Sequence, residues 1–263
     1  MVRELRSVAE LRAACGDDDL PVWVAQGLTG GARAWALGGA VVSAAPEVSR
    51  RDRIGVWGDP ADAVRLLRHA LAEMGSSYRP FGEAGLMAEV AARIDGLEVA
   101  AGFSWMSLPG PPSSPGTPSL GGPEAASPGG AGAARRGGEV GWLAGAAEGE
   151  VSALLAEHAP TSYAVPGAPG VRRWAGTRME GRLAAVAGDA WSAPSVGLLA
   201  GVATAAPLRG RGLAERVCRW VSERLVAAHG RAALMVDDDN PAAIGLYERL
   251  GYRRMRVLAT HVL

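Results

Sequence analysis

The sequence predicts an α/β fold with a mixed, partly parallel sheet flanked by helices, most clearly in its second half. Three observations carry that expectation. The first is a succession of strand, turn and helix. Leu198-Leu-Ala-Gly-Val-Ala-Thr204, within an expected strand over 196–204, is an apolar run suited to burial. Arg209-Gly-Arg-Gly-Leu-Ala214 then makes a glycine-bearing turn, and a helix is expected over 211–228. That helix gathers Leu213, Val217, Trp220, Val221 and Leu225 on one face. Glu215, Arg219 and Glu223 follow at ion-pairing intervals on the other. The second observation is a short apolar strand over 231–236 followed by a helix over 241–250. Strands joined by crossover helices run parallel, which puts a parallel pair at the sheet centre. The third is a hairpin pattern upstream, strands at 171–175 and 183–187 around Glu180-Gly181.

The remaining elements follow in chain order. Residues 22–25, 34–37, 40–43 and 53–57 read as strands. Asp59-Pro60 starts a helix, with Asp59 as N-cap and Pro60 in the first helical position. Val64, Leu67, Leu71 and Met74 then lie on one helical face. A second helix is expected over 83–93 and a strand over 97–103. Residues 108–138 are Pro, Gly, Ser and Ala with almost no bulky side chains, a composition that cannot offset its own ordering entropy. They read as a flexible linker spanning about 30 Å root-mean-square. It separates a smaller α+β domain, residues 1–107, from a second domain, residues 139–263. The second opens with a strand at 140–144 and a helix at 148–158, and closes with strands at 252–256 and 258–262.

Composition narrows the class. Lys plus Arg and Asp plus Glu both number 27, so the zero net charge implies no nucleic-acid partner. Arginine supplies all of that positive charge, since the chain has no lysine. Cys15 and Cys218 are too few for a disulfide framework, which suits a cytoplasmic protein with reduced thiols. The charged N-terminus Met-Val-Arg-Glu-Leu-Arg does not suit a signal peptide, and no apolar run approaches membrane-spanning length, so no membrane partner is expected.

A glycine turn feeding a helix N-terminus is an anion site, most often for phosphate. The Walker loop is excluded because the chain has no lysine, and the dinucleotide fingerprint fails at Glu215. Arg209-x-x-Gly212-x-Ala214 instead resembles the pyrophosphate loop of the GNAT superfamily, the coenzyme-A-dependent N-acetyltransferases. Asn240-Pro-Ala-Ala243 and Leu246-Tyr-Glu248, with Gly251-Tyr252, resemble the ending of that fold. The resemblance covers residues 196–255, in order. Some members carry tandem halves, one without the loop. The N-terminal half, which lacks Arg-x-x-Gly-x-Gly/Ala, is read as a degenerate GNAT copy, with an unrelated accessory domain as the alternative.

The resemblance implies acetyl-coenzyme A as cosubstrate and a small-molecule or peptide amine as acceptor. It implies that Arg209, Gly210, Arg211, Gly212, Leu213 and Ala214 bind the pyrophosphate. The strand residues Val202, Ala203 and Thr204 would pair with the pantetheine arm, and a backbone N–H near Gly201 or Val202 would polarise the thioester carbonyl. Asn240 would touch the arm, although Asn before Pro241 is also an ordinary N-cap. Tyr247 would protonate the departing thiolate. For the general base the candidates are His261, Glu180 and Asp189. Asp237, Asp238 and Asp239 are weighed as an amine-holding cluster against a solvated turn; no metal site is expected. The alternative activity is a non-catalytic acyl-coenzyme A sensor.

Overall fold

The computed structural model describes residues 1–110 and 138–263. The central part of the expected linker lies outside the described residues. The chain builds one sheet of twelve strands. Its first half runs β1 (Arg3–Leu5), α1 (Val8–Ala14), α2 (Asp19–Val24), β2 (Arg33–Leu37), β3 (Ala40–Val48), β4 (Arg51–Gly58), α3 (Pro60–Met74), β5 (Arg79–Glu83), α4 (Ala84–Ala91) and β6 (Leu97–Pro109). The second runs β7 (Gly141–Trp142), α5 (Glu148–His158), β8 (Val171–Met179), β9 (Arg182–Ala190), β10 (Gly197–Thr204), α6 (Leu213–His229), β11 (Arg231–Val236), α7 (Pro241–Arg249) and β12 (Arg253–Val262).

The two halves repeat one plan. In each, four strands pair antiparallel, a long helix crosses to a parallel fifth strand, and a short helix leads to a sixth. The sixth strands are exchanged. Across the sheet centre the order is β4-β5-β12-β6-β11-β10. The first half's β6 pairs antiparallel with β11, and the second half's β12 pairs antiparallel with β5. The two exchanged strands pair with each other from Arg253↔Ser107 to Val262↔Leu97. Each half thus completes the other's sheet.

Side chains lock this junction. Trp23, at the heart of the core, donates its indole N–H to the Trp191 carbonyl at 2.8 Å and packs against Trp105 at 5.2 Å between ring centroids. Arg231 pairs with Asp17 at 2.7 Å and also with Asp19. Asp238 takes hydrogen bonds from Ser104 and from Arg254, tying the end of β11 to β6 and β12. Its carboxyl sits below the ordinary 3.8, first because of the Ser104 hydroxyl and then because of Arg254.

Three expectations change. The apolar run 22–25 belongs to helix α2, not to a strand. Periodicity cannot sort so short a run, and the Asp18 carboxylate, which accepts the Leu20 N–H at 3.0 Å, starts a helix there. The strands expected at 252–256 and 258–262 are one, because β12 is paired along both edges and only a register irregularity at Ala259/Thr260 interrupts it. The strand expected to stop at Phe103 continues through Pro109, held by Arg231↔Pro109 and its neighbours on β11. The start of α3 is as the sequence indicates: Asp59 caps it by accepting the Asp62 N–H at 3.0 Å.

Candidate active site

The site begins where the sheet comes apart. β10 and β11 pair in parallel only from Gly197↔Ala232 to Leu199↔Leu234, yet β10 runs on to Thr204 and β11 to Val236. A bulge forces the parting. Ala200 faces Gly188 and Ala203 faces Val186, so Gly201 and Val202 together oppose Ala187 on β9. Gly201 has φ +62, and a Cβ there would sit 2.3 Å from the Trp174 ring. Only glycine meets both demands, backbone angle and space. A lone glycine inside a strand pattern is itself a sequence sign of a bulge.

The first half has no such opening. Its parallel pair stays in register from Arg53↔Arg79 to Val56↔Gly82, and a Cβ on Gly82 would meet the Val56 carbonyl oxygen at 2.4 Å. Only Asp59 separates β4 from α3, whereas residues 205–212 separate β10 from α6. The first copy therefore has neither the splayed strands nor room for a phosphate loop.

In the second half the loop has the geometry of an anion cradle. Gly210 and Gly212 have φ +75 and +73, and nothing lies within 4 Å of where their Cβ atoms would be. Gly212 is the N-cap of α6 and offers no capping side chain; the first helical bond runs from the Arg216 N–H to the Gly212 carbonyl. The N–H groups of the first turn, Leu213 to Glu215, thus have no partner within the helix, and the helix dipole adds to their positive field. Leu213 is buried and anchors the turn to the core. Arg211 is exposed. Arg209 turns back: its guanidinium donates to the Thr204 carbonyl at 3.3 Å and to the His158 carbonyl at 3.1 Å, bracing the loop. These residues fit a coenzyme A pyrophosphate.

A cavity of about 540 Å³ opens beside the splayed strands. Val202, Met235, Asp237, Asn240 and Tyr247 line one side. Asn240 does two things, lining the cavity and capping α7 by accepting the Ala243 N–H at 3.1 Å. Tyr247 is buried against Tyr252, ring centroids 5.9 Å apart. Burial first, then Cys218 and Tyr252, pushes its phenol well above the usual 10, so it stays protonated throughout the ordinary pH range. Ala203 and Thr204 remain paired with β9, and the Thr204 hydroxyl is buried with no hydrogen-bond partner.

The candidate bases do not gather here. His261 stands opposite Glu98 on β6, its Nδ1 buried without a partner, and is not among the cavity-lining residues. Glu180 is in the tip of the β8–β9 hairpin with φ +50. Asp189 is buried and accepts from the Ser192 hydroxyl at 2.6 Å and from Arg173 at 3.2 Å; Ser192 in turn accepts the Leu198 N–H, fixing the entry of β10. Asp237 is the carboxylate that does face the cavity, while Asp238 is committed to the β6–β12 junction. Both thiols are buried, and desolvation pushes Cys15 to about 11 and Cys218 to about 12, which leaves neither as a ready nucleophile.

The opposite wall of the cavity comes from the first half. Ser49, Arg51, Arg53 and Arg79 line it, with Tyr163 from the α5–β8 loop reaching across to Arg51 at 3.4 Å. Sequence reasoning did not single out these arginines. The alternation of Arg51 and Arg53 marks one face of a strand, but nothing local says that this face is turned inward.

Residues 176–260 match a model of the FR47-like protein family. No curated protein matches the chain. The fold is similar to a GCN5-related N-acetyltransferase from Sphaerobacter thermophilus, with 14% identity, a TM-score of 0.55, and coverage of 99% of this chain and 94% of the other. It is similar to one from Kribbella flavida, with 20% identity, a TM-score of 0.52 and coverage of 86% and 88%. A GNAT-family acetyltransferase from Colwellia psychrerythraea gives 12% identity, a TM-score of 0.50 and coverage of 100% and 99%. At these identities the structural likeness is one of fold, and it extends over both halves. The chain thus has a fold of the GNAT acetyltransferase type, and the FR47-like match falls on its loop-bearing half. No helix among the described residues is long and apolar enough to cross a membrane.

Proposed function

We propose that the protein is an N-acetyltransferase that moves an acetyl group from acetyl-coenzyme A to a primary amine by direct attack. One observation carries this reading. The strands part at Leu199/Leu234, and from there the open end of β10 leads into a glycine cradle while its bulge borders a cavity holding Tyr247. Bound acetyl-coenzyme A would supply the thioester. The cradle N–H groups of 210–215 would hold the pyrophosphate, and the edge of β10 freed from β11 would pair with the pantetheine arm.

The remaining work falls to the chain's own groups. The bulge at Gly201–Val202 turns backbone toward the cavity, where an N–H can polarise a carbonyl. Tyr247 lines the same cavity and carries a phenolic O–H that can donate to a leaving sulfur. Asp237 faces the same cavity and is suited to dock a cationic amine and to receive its proton. Orientation in a partly closed cavity supplies much of the acceleration. The assay is release of free thiol when the full chain is incubated with acetyl-coenzyme A and a panel of amines. Amine-dependent release is expected. Saturable coenzyme A binding without release for any amine would leave the sensor reading in its place.

A further inference from the structure

The wall contributed by the first half carries three cations and no counter-charge. Arg51 and Arg53 are two residues apart on β4, so they share a face; Arg79 is the register partner of Arg53 on the parallel strand β5. All three line the cavity. Arg53 is only 7% exposed. Its Nε donates to the Val48 carbonyl at 3.3 Å and its guanidinium lies 5.3 Å from the centre of the Phe81 ring. No ion pair joins Arg51, Arg53 or Arg79 to a carboxylate among the described residues, and Arg79 makes no side-chain hydrogen bond there. Burial first, then the charges of Arg51 and Arg79, pushes Arg53 down to about 10.

Such an arrangement is costly in the free protein. Like charges at paired strand positions repel, and a buried guanidinium is ordinarily matched by an anion. The turn that presents it is itself special: Ser49 and Arg50 have φ +53 and +61, and Glu47 has φ +54. Non-glycine residues held in that region cluster at ligand-binding sites. Asp52 steadies the turn from the other face of β4, accepting the Glu47 N–H at 3.1 Å and the Ser77 hydroxyl at 2.9 Å.

We infer that Arg51, Arg53 and Arg79 form a clamp for an anionic group, carboxylate or phosphate, carried by the acceptor amine. The inference rests on the acetyltransferase reading and adds the acceptor's class to it. Asp237 lies at the strand opening and the arginines on the far wall, so the cavity presents opposite charges to the two ends of one small molecule. The strand order sets the scale. β5 is three strand positions from β11, about 14 Å along the sheet, and the arginine side chains reach inward across part of that. A compact amino acid or aminoalkyl phosphate suits the space. The first half, which has no cofactor loop, thereby acquires a role: it reads the acceptor.

The test is thermal unfolding of the full chain with product-like probes, measured without and with saturating coenzyme A. N-acetylglycine is compared with neutral N-acetylglycinamide, and phosphorylated N-acetylethanolamine with N-acetylethanolamine. An anionic probe should bind on the order of ten- to a hundredfold more tightly than its neutral partner. The pair showing the larger ratio identifies carboxylate or phosphate as the recognised group. Arg53→Gln risks the fold, so the variants are Arg51→Gln and Arg79→Gln. Arg79→Gln should melt no lower than the parent protein, because it relieves repulsion, while losing most of the anion-induced shift. Arg51→Gln should lose that shift too. A purely structural arginine would give the reverse pattern. Equal binding of charged and neutral probes, or an undiminished shift in both variants, overturns the clamp. Coenzyme A alone reports on the cofactor loop, so a failure of the acetyltransferase reading shows separately.

Discussion

Gly212→Val tests the phosphate cradle, and α6 supplies its own control. Gly212 and Gly230 cap the two ends of that helix, with φ +73 and +83, and neither has anything within 4 Å of an added Cβ. Valine at either position meets no clash and incurs only the left-handed backbone cost, about 1–2 kcal/mol or somewhat more for a β-branched residue. In a protein of this size that lowers the melting temperature by about 2–8 °C. The two variants should therefore be destabilised alike. They should part on ligand binding, because Gly230 lies about 27 Å along the helix from Gly212. Coenzyme A at a hundredfold excess over its dissociation constant should stabilise the parent protein and Gly230→Val by about 2.7 kcal/mol. Gly212→Val should show almost none of this, since its side chain fills the space a phosphate needs to reach the backbone. Differential scanning calorimetry reads the stability, and isothermal titration the affinity. Unchanged coenzyme A affinity in Gly212→Val, with the expected loss of stability present, would refute the cradle.

Two further predictions follow from the same geometry. Tyr247→Phe should lower kcat by about 10²–10⁴-fold with little change in acetyl-coenzyme A affinity, because the ring keeps its packing on Tyr252 and only the proton donor is lost; wild-type turnover under chemistry-limited conditions would remove Tyr247 from the mechanism. Residues 138–263 expressed alone should lack a cooperative melt, because β12 pairs only with strands of the first half and β11 loses β6, and mixing with residues 1–110 should restore it; a cooperatively folded isolated second half that binds coenzyme A would show that the strand exchange is dispensable.

Much of the site was legible because its signals are local. Gly210 and Gly212 stand in the sequence as the residues a tight, left-handed turn requires, and the helix after them announces itself by its apolar face. Asp59-Pro60 and Asn240-Pro241 mark helix starts because a capping oxygen acts on N–H groups two or three residues away. The helix α2 was not legible, since Leu20–Val24 is buried all round and shows no period. Arg209 looked like a phosphate ligand by position, yet its side chain is occupied by two backbone carbonyls, one of them 51 residues away in sequence.

What the sequence by itself determined was a set of short-range matters: the hairpin at Glu180-Gly181, the caps at Asp59 and Asn240, the glycine loop and the order of elements in the second half. The tertiary structure alone decided the partners. Pairing β6 with β11 and β12 with β5 joins residues up to 180 apart, as the Thr260 hydroxyl bonded to the Pro80 carbonyl shows. Backbone N–H and C=O groups are alike at every residue, so a strand carries no local label for its neighbour. The same holds for Arg51, Arg53 and Arg79. Their meaning comes from the exchanged sheet, which turns their face toward a cavity whose other wall is built more than a hundred residues later along the chain.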